Sequence, residues 1–195
     1  MEINSENKQI TLSQQNYTKK VLGKFGMMNS KPTPTPIIKE SINDTEPSVQ
    51  GTPAFPYRQA VGALTYLAVG TRPDIAYAIS KASRNLETPT ENDVMLVKRI
   101  FRYLKGTADK GLVYRHTKES PRNLLCFSDS DFAGDQPTRR STSGMVCLLS
   151  GAAISWRSQR QTTASISSTE AEIITASETA QEILWSNGIF KGLVT

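Results

Sequence analysis

Histidine and cysteine are almost missing from this sequence: His116 stands alone, and Cys126 and Cys147 are the only two cysteines. With so few soft ligands, a structural zinc site of four Cys or His side chains is excluded. No apolar stretch approaches the roughly 20 residues that a membrane span needs. The opening Met1-Glu2-Ile3-Asn4-Ser5 carries an early charge and no apolar run, unlike a secretory leader. These absences predict an intracellular protein that is neither secreted nor membrane-bound. Its two cysteines, each among strand-like apolar neighbours, read as reduced core residues. The apolar fraction is 37%, and 195 residues suffice for one ordinary domain or two small ones with a modest core. The formal net charge of +5 is compatible with a polyanionic partner, although charge informs association and not fold.

The N-terminal part is organised by short periodic segments. Glu2-Ile3 and Gln9-Ile10-Thr11-Leu12 flank a polar turn and predict a small hairpin. A helix follows from Ser13, with Tyr17, Val21, Leu22 and Phe25 at helical spacing and Gly26 as a stop. Between residues 30 and 56 stand Pro32, Pro34, Pro36, Pro47, Pro53 and Pro56, with no aromatic until Phe55. Prolines remove backbone donors and block helix, so this stretch predicts an extended or mobile linker. Three helical patterns come next. Tyr57 to Val69 places Val61, Leu64, Tyr66 and Leu67 near one side; Pro73 opens a second helix with Ile75, Ala78, Ile79 and Ala82. The third begins at Asn92-Asp93, buries Val94, Val97, Phe101 and Leu104, and closes at Gly106. Lys98, Arg99, Arg102 and Lys105 lie largely away from that stripe, as a solvated face or as a phosphate-contacting one.

Beyond residue 120 the pattern changes to strands. Leu124 to Phe127, Gly144 to Leu149 and Ala152 to Trp156 are short apolar runs, and Ser150-Gly151 between the last two suggests a tight antiparallel reversal. A long helix starts near Ser167, where Ser167 with Glu170 has capping-box spacing. Three strands in succession and then a helix make an α+β arrangement.

Asp129 and Asp131 follow directly on the first strand, on the same side as Phe127 if the strand continues that far. A carboxylate that prolongs a buried strand is costly unless paired, hydrogen-bonded or metal-bound, whereas Asp-rich strand ends also serve as turns. Asp135 reads as such a turn residue. Glu172 shares a helix side with Ala176, Ala180 and Ile183, which aims it at the core or at a site on its rim. Glu170 is more simply a cap, and Glu178 and Glu182 are solvated. An acid ending a strand and an acid opening a helix suit a divalent ion such as Mg²⁺, but equally suit structural roles.

Four blocks occur in order: Ser128 to Asp135, Arg140 to Gly144, Ile154-Ser155-Trp156, and Ser167 to Glu172. Together they resemble the ribonuclease H domain of copia-type retrotransposon Pol polyproteins. Tyr57 to Leu67, Thr71 to Ile75 and Arg102 to Thr107 resemble the segment joining reverse transcriptase to ribonuclease H, and the opening hairpin resembles the end of the polymerase palm.

The resemblance implies four regions: residues 1–29 as the end of the palm and start of the thumb, 30–56 as linker, 57–120 as helical connection, and 121–195 as an incomplete ribonuclease H-like fold. It implies Asp129 and Glu172 as catalytic and Mg²⁺-binding acids, with Asp131 as a further candidate ligand. It implies an RNA–DNA hybrid as partner, with Lys98, Arg99, Arg102, Lys105, Arg139 and Arg140 as candidate nucleic-acid contacts. The remainder of the Pol polyprotein is a second expected partner. The family's paired polymerase aspartates and later ribonuclease H acids have no counterpart in these residues. The expectation is therefore a Pol fragment that does not cleave alone, against two alternatives: a non-enzymatic nucleic-acid-binding or host-adopted module, and a Mg²⁺-dependent nuclease completed by another chain.

Overall fold

A computed structural model describes residues 1–38, 55–115, 124–135 and 137–193. His116 and much of the expected linker lie outside the described residues. The chain divides into two units, Met1–Glu2 with Thr11–Leu112, and Ile3–Ile10 with Val113–Thr195.

The opening hairpin is present as β1 (Glu2–Asn4) and β2 (Gln9–Ser13). A third strand that periodicity did not signal, β3 (Gly111–Arg115), joins them in the order β1-β2-β3. Four helices lie in the first unit: α1 (Gln15–Lys24), α2 (Tyr57–Gly70), α3 (Ala76–Ala82) and α4 (Glu91–Gly106). Their apolar stripes converge on one core in which Leu64, Leu67, Ile75, Val97, Ile100, Phe101 and Leu104 are fully buried. Phe25 stacks on Phe101 with ring centroids 5.1 Å apart. Tyr66 departs from the expected pattern. It lies outside the core, edge-on to Tyr17 at 4.8 Å, because the inward arc of α2 is already filled by Ala60, Val61, Leu64 and Leu67.

Helix α4 begins at Glu91, one residue earlier than expected, and Thr90 and Asp93 form a reciprocal cap at its start. The Thr90 amide donates to Asp93 Oδ2 at 2.8 Å, and the Asp93 amide donates to Thr90 Oγ1 at 3.2 Å, satisfying donors that a helix start leaves open. The turn Arg72-Pro73-Asp74 ahead of α3 is held by a buried charge. Arg72 is 2% exposed; its guanidinium grips Asp74 at 2.7 Å and donates to the Thr107 carbonyl at 2.9 Å and to Thr107 Oγ1 at 2.6 Å. Tyr103 donates its hydroxyl to the same Asp74 oxygen at 2.7 Å. Burial pushes the Asp74 carboxyl up, but the Arg72 guanidinium and the Tyr103 hydroxyl outweigh it and hold the group below the usual carboxylate range. The family-like Thr71 to Ile75 stretch is thereby explained as architecture: a buried guanidinium requires a full set of acceptors.

The second unit carries the sheet of β4 (Leu125–Asp131), β5 (Thr142–Leu149) and β6 (Ala152–Arg160), antiparallel and in sequence order. The reversal at Ser150-Gly151 forms as expected, with φ of 51° and 82°, the positive values that a two-residue hairpin turn demands of both central residues. One long helix, α5 (Ser168–Leu193), packs mainly on β4 and less on β5.

The cysteines correct the sequence reading. Cys126 and Cys147 face each other across β4 and β5 with Cα atoms 4.1 Å apart, and a disulfide joins them. Apolar neighbours identified both as strand residues, but only strand register makes them partners. Among the described residues no helix is long and apolar enough to cross a membrane.

Candidate functional site

Strand β4 does continue through the acids: Asp129 pairs with Gly144 and Asp131 with Thr142 at the end of the β4–β5 ladder. Both carboxylates are exposed. Asp129 Oδ1 accepts from the amide of Ser130 at 2.9 Å, a local bond that fixes its rotamer without neutralising its charge. Asp131 folds back over Gly134, where a Cβ would displace its carboxylate from that position. Ser141 Oγ receives the amide of Ala133 at 3.1 Å and closes the same loop.

Asp135 is buried in that loop, as the expected turn residue and with more partners than a turn needs. Its carboxylate accepts from Thr138 Oγ1 and pairs with Arg160 at 2.8 Å; its backbone bonds to both Arg139 and Arg140. Arg139 is exposed with φ of 55°, and Arg140 is half-buried. Both lie in the loop joining the end of β4 to the start of β5, at the end of the sheet that carries Asp129 and Asp131.

Helix α5 starts as expected. Ser167 Oγ accepts from the amide of Glu170 at 3.1 Å, and Glu170 Oε2 accepts from the amide of Ile166 at 2.7 Å, which makes Glu170 a cap. Its orientation about its own axis differs from the expected one. The side turned to the sheet carries Ala171, Thr175, Thr179 and Ser186; Glu172, Ala176 and Ala180 are exposed and Ile183 is half-buried. The reason is the chemistry of the sheet face. Ser143 and Gln161 stand there, and Thr175 Oγ1 donates to Ser143 Oγ at 2.9 Å. Gln161 Nε2 donates to Ser143 Oγ at 3.1 Å and to the Ala171 carbonyl at 3.0 Å, and Ser165 Oγ donates to Gln161 Oε1 at 2.9 Å. A hydroxyl stripe satisfies these groups where an apolar stripe would leave them unpaired. Glu172 thus sits on the flank of the helix, just past its first turn. Glu178, expected to be solvated, pairs with Arg157 of β6 at 3.3 Å.

Since Ser143 points at α5, strand alternation and register turn Cys126, Ser128 and Ser130 the same way. Leu125, Phe127, Asp129 and Asp131 face the opposite side. Among the described residues no group of three or more His, Cys, Asp or Glu is placed to hold a metal. A Mg²⁺ ion wants near-octahedral oxygen coordination, so the described acids supply part of a donor set and not a closed one.

The cations of α4 have partners within their own unit. Arg102 Nε donates to the Lys31 carbonyl at 2.7 Å, Lys105 Nζ to the Ser30 carbonyl at 2.6 Å, and Arg99 to Thr35 Oγ1 at 2.9 Å. Lys98 Nζ lies 5.5 Å from the ring centroid of Phe55. The Thr33 amide donates in turn to the Arg102 carbonyl. The described start of the proline-rich stretch is laid along α4 by these bonds, a role for the cations that neither a solvated nor a phosphate-binding face anticipates. The acceptors are the carbonyls of Ser30 and Lys31, just ahead of Pro32, and the hydroxyl of Thr35 between Pro34 and Pro36.

No family model matches the chain, and no solved structure matches it. Curated proteins do. It is 40% identical over 184 residues to the retrovirus-related Pol polyprotein from transposon TNT 1-94 of Nicotiana tabacum, covering 91% of this chain and 14% of that protein. It is 37% identical over 174 residues to the corresponding polyprotein from transposon RE1 of Arabidopsis thaliana, covering 89% of the chain and 12% of the relative. An uncharacterized mitochondrial protein of Arabidopsis thaliana is 42% identical over 176 residues, which is 90% of this chain and 72% of that protein. The chain therefore spans a small part of the Pol polyproteins and most of the mitochondrial relative. The likeness runs through both units, and the chain belongs to the copia-type, retrovirus-related Pol polyprotein family of retrotransposons.

Proposed function

We propose that the β4–β6 sheet with α5 is the first part of a ribonuclease H-like nuclease, and that the helical unit is the reverse transcriptase thumb and connection that precedes it in Pol. The observation that carries this reading is the continuation of β4 through Asp129 and Asp131, with Glu172 near the N-terminal end of the helix packed on that strand. Asp129, which faces away from α5, and Glu172, on the exposed flank of α5, are the acids this reading assigns to Mg²⁺ binding; they are not brought together within this chain, and exposed Arg139 offers a phosphate contact at the same end of the sheet as Asp129. The metal would polarise phosphate oxygens and activate water. Two carboxylates hold such an ion poorly, so further acids from elsewhere in the polyprotein complete the set, and this chain by itself does not cleave an RNA–DNA hybrid.

The test uses a labelled RNA–DNA hybrid in Mg²⁺. The 195-residue chain leaves it intact. The chain joined to the segment that follows the matched region in the TNT 1-94 polyprotein cleaves it, and Asp129→Asn or Glu172→Gln abolishes that cleavage. Cleavage indifferent to both substitutions, or none from the joined protein, overturns the reading.

A further inference from the structure

We propose that Thr35 is a phosphorylation site and that Arg99 of α4 receives its phosphate, fastening the start of the segment between α1 and α2 to that helix. Three observations within the helical unit support this.

The first is how the segment lies. Lys105, Arg102 and Arg99 follow one another at three-residue steps along α4 and bond in turn to the Ser30 carbonyl, the Lys31 carbonyl and Thr35 Oγ1. The segment therefore runs antiparallel to the helix, and the Thr33 amide adds a bond to the Arg102 carbonyl. Thr35 stands between Pro34 and Pro36 and is exposed. A following proline disfavours helical backbone at Thr35. An exposed, non-helical threonine followed by proline is what a proline-directed protein kinase accepts. Thr33-Pro34 is a control in the same segment: Thr33 is 9% exposed, and its hydroxyl donates to the Thr35 carbonyl at 3.4 Å.

The second is a half-filled guanidinium edge. Arg72 shows a filled one: Nε and Nη2, which share one edge, donate to the two Asp74 oxygens at 2.9 and 2.7 Å. On Arg99, Nη2 donates to Thr35 Oγ1 at 2.9 Å, while Nε is buried without a partner among the described residues. A buried N–H left unpaired is costly, and a hydroxyl offers only one oxygen. A phosphate on that oxygen adds three more, and a guanidinium edge takes such a group through two parallel bonds.

The third is charge. Lys98, Arg99, Arg102 and Lys105 lie within about two turns of α4, and no described salt bridge involves any of them. A phosphate of charge about −2 meets cations that already hold its segment. In the transfer, Thr35 Oγ1 loses its proton to the kinase's base and bonds to the γ-phosphorus of ATP. The bond from that phosphorus to the bridging oxygen breaks, and ADP leaves.

The test uses the full chain, ATP and a proline-directed protein kinase, with phosphorylated positions read by fragment mass spectrometry. Thr35 takes up phosphate at least about tenfold faster than Thr33, whose segment must first open. The Thr35 phosphate, identified by its loss in Thr35→Val, is then titrated by phosphorus NMR beside a phosphorylated peptide spanning residues 31–38. Pairing with Arg99 favours the dianion, so its second ionisation falls at least about 0.5 pH unit below the peptide's. Arg99→Ala removes most of that shift. No phosphate on Thr35, a midpoint equal to the peptide's, or a lowered midpoint that Arg99→Ala leaves in place overturns the proposal.

Discussion

The two units of this chain place their apolar and polar residues in opposite ways. In the helical unit, aromatic and aliphatic side chains of α1 to α4 point inward, and the largest fully buried residues are Phe101, Leu64, Leu67, Ile75, Ile100 and Leu104. In the β4–α5 unit, the largest fully buried side chains are Thr175, Cys147 and Ser141, while Phe127, Ile173, Leu184 and Trp185 are exposed. The first unit is stabilised by burying apolar area. The second rests on a hydrogen-bonded seam between sheet and helix, a cross-strand disulfide, and small residues that let α5 approach. A polar seam contributes about 1 kcal/mol per bond, so it cannot substitute for a core of Leu and Phe. The lesson is that the second unit has apolar surface still to cover, while the helical unit has its own core.

The largest test of this contrast is Phe101→Ala. It removes a fully buried ring stacked on Phe25 and is expected to cost about 3–5 kcal/mol, measured by denaturant unfolding with protection of α4 amides as the local readout. Protection of the β4–β6 amides would be lost far less. Equal loss in both units would show that they share one cooperative core.

Next in size is the double change Cys126→Ser with Cys147→Ser. The bridge spans a sequence separation of 21 residues, and its removal is expected to cost about 3 kcal/mol. The loss falls on the sheet and leaves α2 and α4 protection intact. An unchanged unfolding midpoint would mean that the hydroxyl seam alone holds the sheet.

The smallest effect is expected from Phe127→Thr. In a protein whose second unit buried its large apolar residues this would cost several kcal/mol; here the ring is more than half exposed and the change is expected to stay within about 0.5 kcal/mol. Self-association, followed by sedimentation, falls or is unaffected. A loss of more than about 2 kcal/mol would place Phe127 in a core and undo the contrast.

Much of the helical unit was legible beforehand because a 3.6-residue apolar period reports burial directly, and Val94, Val97, Phe101 and Leu104 behave as that period predicts. The Ser150-Gly151 turn was legible for a similar reason, since those residues tolerate the required positive φ. The orientation of α5 was not. Apolarity ranked Ala176, Ala180 and Ile183 as inward, but the partner surface was polar, and that surface is assembled from Ser143 and Gln161, residues distant along the chain. The disulfide escaped for the same reason: pairing depends on register, which composition does not carry. The α4 cations were recognised as a stripe, yet their acceptors are carbonyls of a proline-rich segment about 70 residues earlier.

By itself, the sequence determined the family, the helical core and the run of three strands and a helix beyond residue 120, because each rests on local spacing or on residues read in order. The tertiary structure alone decided which side of α5 meets the sheet, that Cys126 meets Cys147, and where the α4 cations bond. Each of these is a relation between residues far apart in sequence, fixed by strand register and by complementary surfaces.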